Sequence, residues 1–435
     1  MVIKPRGGRE PCRVLALADD LSGAAETAAA LRLPGRIVLG PAPAAPPAGG
    51  EALVLDLDTR QLPADEAARI VREAVRAAAT GTVLIKKTDS LLRGNLAAEA
   101  AAYARGAAGL VIAPALPVAG RTVRDGVVQL RGTPLHATDA WRAESRPAPP
   151  SVAAALGGLR TAVVPLGAVR SSRPGLTGRL RDLMAAGLSP VCDAETDADL
   201  DAVVAAALPL GPDVRLMGTG GLAAALGRVL GPVVDGADVP SPREAVRPDR
   251  PLLVVVGTAE PTAVAQIAQL TEAGARHTAL PAALLAEAGP ALSFPVDAHG
   301  ITVVSVDNSP GFLTGSARRV VAGLARAVAA VPYPADLVLT GGETARRVLD
   351  ALGITRLHPV GQIHHGAVHS RTDDGRSVVT RPGSYGDTGS LLRIARALRP
   401  VHPAVPGERP AVPGVGSVAP VPPPSVSSVP QGEVL

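Results

Sequence analysis

The stretch LIKKTDSLLRGNL, residues 84–96, gathers the side chains that hold small anions. Lys86, Lys87, Asp89, Ser90, Arg93 and Asn95 follow a single apolar run. Arginine offers a carboxylate two parallel donors, lysine offers a point charge, and Asp or Ser meets hydroxyls. Of 43 lysines and arginines only Lys4, Lys86 and Lys87 are lysines, and Asn95 is one of two asparagines. A merely solvated turn gives no reason to keep lysines in so arginine-rich a chain. A site for a small hydroxylated anion is expected here.

A second cluster lies in ALADDLSGAAETAAAL, where an apolar run ends in Asp19 and Asp20 and a Ser22-Gly23 turn opens an Ala-rich helix. Paired carboxylates there could take a substrate hydroxyl proton or hold Mg²⁺. One of them could instead only cap the helix. GxGxxG is absent, which argues against the usual dinucleotide turn. APALPVAGRTVRDG, with Arg121 and Thr122, reads by itself as a surface loop.

Three further segments run from an apolar stretch through glycine into a helix: VGTAEPT (256–262), LTGGETARRVL (339–349) and TRPGSYGDTGSLLRIA (380–395). Glycine admits close approach, and free N–H groups with the helix dipole attract phosphate. Three such turns close together suggest a nucleotide, while the lack of GxxxxGK[ST] excludes a P-loop. In HHGAVH, strand alternation would split His364 from His365, so a metal site with His369 is disfavoured.

Positioning these clusters requires strands that deliver them at one edge. Apolar runs at 13–18, 52–57, 82–86, 109–113, 161–166 and 213–218 alternate with helical segments such as 63–79. A second set lies at 252–257, 301–306, 336–342 and 377–383. Continuous apolar strands followed by amphipathic helices indicate parallel sheets covered on both faces, with ligands beyond the strands' carboxyl ends. The expected fold is α/β with two domains and an active-site cleft between them. Residues 10–235 would bind the anion and 250–399 the nucleotide, joined by a polar, Pro-rich linker at 235–250. Residues 400–435, rich in proline, are expected to form a disordered tail.

Composition narrows the classes. The net charge is +4, but the arginines are scattered and only six aromatics are present, so nucleic acid is not an expected partner. Cys12 and Cys192 belong to no metal or disulfide pattern. Neither a signal peptide nor an apolar run of the ~18 residues a membrane span needs is visible, so a cytoplasmic location is expected.

Taken in order, the motifs resemble the four-carbon acid sugar kinases, which phosphorylate threonate, erythronate or 3-oxo-tetronate. The family's ADDxTGA is similar to residues 18–24, KxDSxxRGN to 87–95, PAxPxxGRTVxxG to 114–126, SGGET to 340–344 and GxFGDxD to 383–387. Ser22 and Thr340 replace Thr and Ser, and Val118-Ala119 stand where Glu-Asn is frequent. The resemblance covers about residues 13–398 and implies ATP, Mg²⁺ and a sugar acid as ligands. It implies catalytic roles for Asp20, Asp89, Lys87 and Arg93, with Asp20 as base and Asp387 as its rival. Asp19, Ser22, Ser90, Asn95, Arg121 and Thr122 would contact the acid. Thr258, Thr340, Gly341, Gly342, Glu343, Thr344, Gly383, Ser384, Gly386 and Asp387 would hold ATP, with Glu343 toward Mg²⁺. A non-catalytic sensor and an oxidoreductase remain alternatives, and a homo-oligomer is left open.

Overall fold

The computed structural model describes residues 12–40, 45–142, 144–231, 250–258, 261–307, 317–383 and 386–399. Ser384, the expected tail at 400–435 and all but the last residue of the expected linker lie outside the described residues.

The N-terminal half opens with β1 (Arg13–Ala18), α1 (Leu21–Leu31), β2 (Gly35–Leu39), β3 (Ala52–Asp56), α2 (Ala64–Arg76), β4 (Thr82–Lys87), α3 (Leu96–Ala104) and β5 (Gly109–Ala113). Three short strands, β6 (Arg121–Arg124), β7 (Val127–Leu130) and β8 (Thr133–Pro134), form a small separate antiparallel sheet. Next come α4 (Val152–Ala155), β9 (Thr161–Val164), α5 (Leu166–Val169), α6 (Arg173–Ala185), β10 (Ser189–Cys192), α7 (Asp197–Ala207), β11 (Val214–Gly218) and α8 (Gly220–Leu230). The C-terminal half contains β12 (Leu252–Val256), α9 (Pro261–Glu272), β13 (Arg276–Pro281), α10 (Ala282–Ala286), β14 (Ile301–Asp307) and α11 (Ala317–Ala329). It ends with β15 (Asp336–Thr340), α12 (Gly342–Ala351), β16 (Arg356–His364), β17 (Ala367–Arg371), β18 (Ser377–Arg381) and α13 (Ser390–Leu398).

Every apolar run expected to be a strand forms one, several ending a residue or two early. The helix expected at 63–79 is α2, with Pro63 just before it and Asp65 and Glu66 in its first turn, where the helix dipole favours negative charge. One 15-stranded sheet runs through both halves in the order β13-β14-β12-β15-β18-β17-β16-β2-β3-β1-β4-β11-β5-β10-β9. Its pairings are parallel except around β16 and β17. The halves meet where β16 pairs antiparallel with β2, Leu357 opposite Ile37. One apolar core crosses this seam, containing Leu15 and Leu55 from the first half and Val255 and Leu337 from the second. A smaller core lies under α9 and α13.

Candidate active site

β1 and β3 are parallel neighbours, so Asp19 and Asp20 emerge beside the turn that follows Asp56. Asp20 is extended (φ −147°, ψ 160°), and its Oδ1 accepts from the Gly23 N–H at 2.8 Å, capping α1. Its other oxygen takes Arg60 Nη1 at 2.8 Å, so Asp20 both caps and faces the site. Arg60 also grips Asp19 through Nε (2.8 Å) and Nη2 (3.0 Å), and lies 3.8 Å from Asp89. One guanidinium thus gathers three carboxylates. No sequence motif pointed to Arg60.

Burial pushes the Asp19 carboxyl up, but Arg60, Lys86 and Lys87 outweigh it and hold the group below its ordinary value. At Asp20 burial wins, reinforced by the Asp19 charge, and its pKa is raised despite Arg60 and Lys87. The pair is split into a firm carboxylate and a readier proton acceptor, the pattern of acid–base sites.

The two lysines separate because successive strand residues point to opposite faces. Lys86, fully buried, pairs with the equally sealed Glu99 at 2.8 Å, and Thr59 donates to the same carboxylate. Lys86 is therefore structural rather than part of the anion cluster the sequence suggested. Lys87 faces α1, where its Nζ lies 3.4 Å from Glu26 and donates to the Thr88 carbonyl at 3.1 Å. Asp89 accepts a bidentate fork from Arg93, with both bonds at 2.9 Å, and the Leu91 N–H at 3.0 Å. Burial alone would raise Asp89, but Arg93 and Arg60 keep it far below the usual carboxylate range. Leu92 holds a left-handed φ of 60° within this turn, an uncommon conformation for a bulky buried residue and one found at functional sites. The Asn95 amide donates to the Thr59 and Leu62 carbonyls at 2.9 and 2.8 Å, fixing the loop that carries Arg60. Ser90 accepts from Arg121 at the start of β6, while Thr122 stands opposite Gln129 in the small sheet.

From the other half, α12 points its N-terminus at Asp20. A Cβ on Gly342 would lie 2.8 Å from Asp20 Oδ2 and 3.0 Å from Ser22 Oγ, so any larger residue would have to push these side chains aside. The Ser22 hydroxyl is buried without a partner. Thr258, Gly341 and Gly383 cluster beyond neighbouring strands β12, β15 and β18: a Cβ on Gly383 would lie 3.6 Å from Thr258 and 3.8 Å from the Gly341 Cα. Thr344 packs its hydroxyl against Gly257, and Thr340 Oγ1 is buried and unbonded. Gly386 lies against Ser390. Asp387 is exposed, accepts from the Gly389 N–H at 3.0 Å and pairs with Arg393 at 2.9 Å.

A cavity of about 530 Å³ opens where the clusters meet. Asp20, Arg60, Arg93 and Asn95 line it from one half, and Arg318, Gly342, Glu343 and Arg347 from the other. Its walls combine several arginines with the carboxylates of Asp20 and Glu343. Lys87, Ser90 and Arg121 do not line this cavity. Among the described residues, no cluster of three or more His, Cys, Asp or Glu side chains is placed to hold a metal ion.

The sequence matches a family model described as a sugar-binding N-terminal domain over residues 14–226, and one described as a nucleotide-binding C-terminal domain over 253–391. It is 33% identical to a D-threonate kinase of Cupriavidus necator over 408 residues, covering 88% of this chain and 97% of the relative. A D-threonate kinase of Bordetella bronchiseptica is 34% identical over 410 residues, covering 88% and 96%. The fold is shared with a solved Salmonella typhimurium LT2 protein described as a tRNA synthase, at TM-score 0.71 and 20% identity over 88% of this chain and 98% of that one. It is shared too with a Haemophilus influenzae protein at TM-score 0.66 and 20% identity, covering 89% and 100%.

Proposed function

Because the chain belongs to the four-carbon acid sugar kinase family, we propose that it transfers the ATP γ-phosphoryl group to the terminal hydroxyl of a four-carbon sugar acid. D-threonate, the acid in the relatives' names, is the first candidate. One observation carries the reading: the N-terminus of α12 reaches Asp20 through Gly342, which puts a phosphate-attracting helix end beside a carboxylate of raised pKa.

Phosphoryl transfer needs alignment and charge neutralisation more than covalent chemistry. Asp20 accepts the hydroxyl proton, and Arg60 fixes its orientation. Arg93, which lines the cavity, attracts the substrate carboxylate, while Lys87, buried behind it, acts through its field on Asp20. Asp89 takes the Nε–Nη2 edge of Arg93, so the acid meets the remaining edge of a side chain that is already ordered. Gly341, Gly342 and Gly383 leave room for phosphate oxygens near the free N–H groups of α12. The residues fit a phosphate-borne Mg²⁺ better than a resident one, since no three-ligand cluster is present among the described residues. Glu343, which lines the cavity, would share that ion, whose charge would neutralise the phosphates.

A coupled ADP-release screen across D- and L-threonate, D- and L-erythronate and 3-oxo-tetronate tests this reading. ADP formation with at least one acid is expected. A clear rise in melting temperature with ATP, but no turnover with any acid, would replace the kinase by a nucleotide-binding sensor.

A further inference from the structure

Arg381, the last residue of β18, is the bulkiest fully buried side chain described, at 1% exposure. Its Nη1 donates to Ser390 Oγ at 2.8 Å and its Nη2 to the Gly383 carbonyl at 3.4 Å, while Nε has no partner. Arg60, Lys86, Lys87 and Arg346 each face a carboxylate. Arg381 faces none among the described residues. Burial alone pulls its pKa down to about 10, so it stays charged at neutral pH. A sealed cation without a counter-ion is costly, and an anion bound close by would offset that cost.

The position indicates what completes it. Arg381 pairs in register with Thr340, which pairs with Val256, so the three side chains stand in a row at the carboxyl ends of adjacent strands. Gly341 and Gly257 follow directly, and Gly383 lies two residues on. The Gly341 N–H donates to the Arg381 carbonyl at 2.9 Å. Thr340 Oγ1 and Gln266 Oε1 are also buried without partners.

We propose that Arg381 is the buried positive charge that the nucleotide's phosphates neutralise, acting as a positioning residue behind Gly383 and the start of α12. This rests on the nucleotide-binding reading of this half. The phosphates need not touch the guanidinium. Its field adds to the helix dipole, and its bond to the Gly383 carbonyl sets the backbone they meet.

The test uses the full chain and measures ATP, ADP and AMP affinity without sugar acid, together with melting temperature, for wild type, Arg381→Met and Arg381→Lys. Arg381→Met should weaken ATP by about tenfold or more, the size of one nearby charge acting through the protein interior, and AMP by less than about threefold. Its ligand-free melting temperature should hold or rise, because a sealed charge is gone. Arg381→Lys should keep ATP within about threefold of wild type, since charge survives the loss of the fork. Equal weakening of ATP and AMP with a lower melting temperature makes Arg381 a structural brace and overturns the proposal. So does a lysine variant that stays folded but loses ATP, which is informative even if the methionine variant does not fold. Wild-type protein that binds no nucleotide overturns the nucleotide reading and this inference together.

Discussion

Arg60 holds Asp19 and Asp20 with three bonds of 2.8–3.0 Å, so its removal should be felt in both stability and chemistry. Arg60→Gln leaves buried carboxylates facing one another, which should cost about 3–5 kcal/mol by chemical denaturation. Loss of the cation lets both carboxyl pKa values climb. If Asp20 is the base, the acidic limb of kcat/KM against pH must then move upward; an unmoved limb assigns the base elsewhere. Arg93→Ala should raise KM for the acid tens-fold or more, from loss of about 1.5–3 kcal/mol of charged hydrogen bonding, with ATP affinity little changed. Loss of ATP binding with the acid still bound would reverse the assignment of the halves. The carboxylates and the Arg93 turn were legible because each follows an apolar strand within a few residues. Arg60 was not, because its partners lie 40 and 41 positions away and one arginine among many carries no local sign. Lys86 misled for the same reason: its counter-ion, Glu99, sits one element later, on α3.

At the level of elements, α12 ties the halves together. Its first turn touches Asp20, Arg346 Nη1 lies 2.9 Å from Asp56 Oδ2, and Arg347 pairs with Asp58 in the turn that also carries Arg60. Gly342→Ala pushes a methyl into the Asp20 carboxylate. It should lower kcat on the order of 10²-fold, as misplaced reacting groups do, at only about 1–3 kcal/mol in stability. An unaffected kcat would mean that the α12 contact is packing alone. Burial outweighs Arg346 at Asp56 and raises its carboxyl from 3.8 to about 7. The native state therefore holds this proton after the unfolded chain has lost it. The contribution of Asp56 to stability is full below pH 4, falls as pH climbs to about 7 and is level above that. Asp56→Asn should remove this part of the slope in a series of denaturant titrations from pH 5 to 8.

Across the whole molecule, the parallel strands were legible because buried strands read as unbroken apolar runs. The seam was not. β16 carries Pro359 and Gly361 where its ladder with β17 shifts register, and β2 is only five residues long, so neither shows a strong period. The seam nevertheless couples the two halves: Ile37 and Leu357 are both sealed, and a single apolar core includes residues from each half. Calorimetry of the ligand-free protein should show one unfolding transition, its midpoint raised by ATP and by the sugar acid alike. Leu357→Ala should lower that midpoint by the equivalent of about 2–5 kcal/mol, the cost of a core cavity, because the loss is charged to the whole unit. Two transitions in the wild type, each moved by one ligand only, would show that the halves unfold separately and that the shared strand pairing does not couple them.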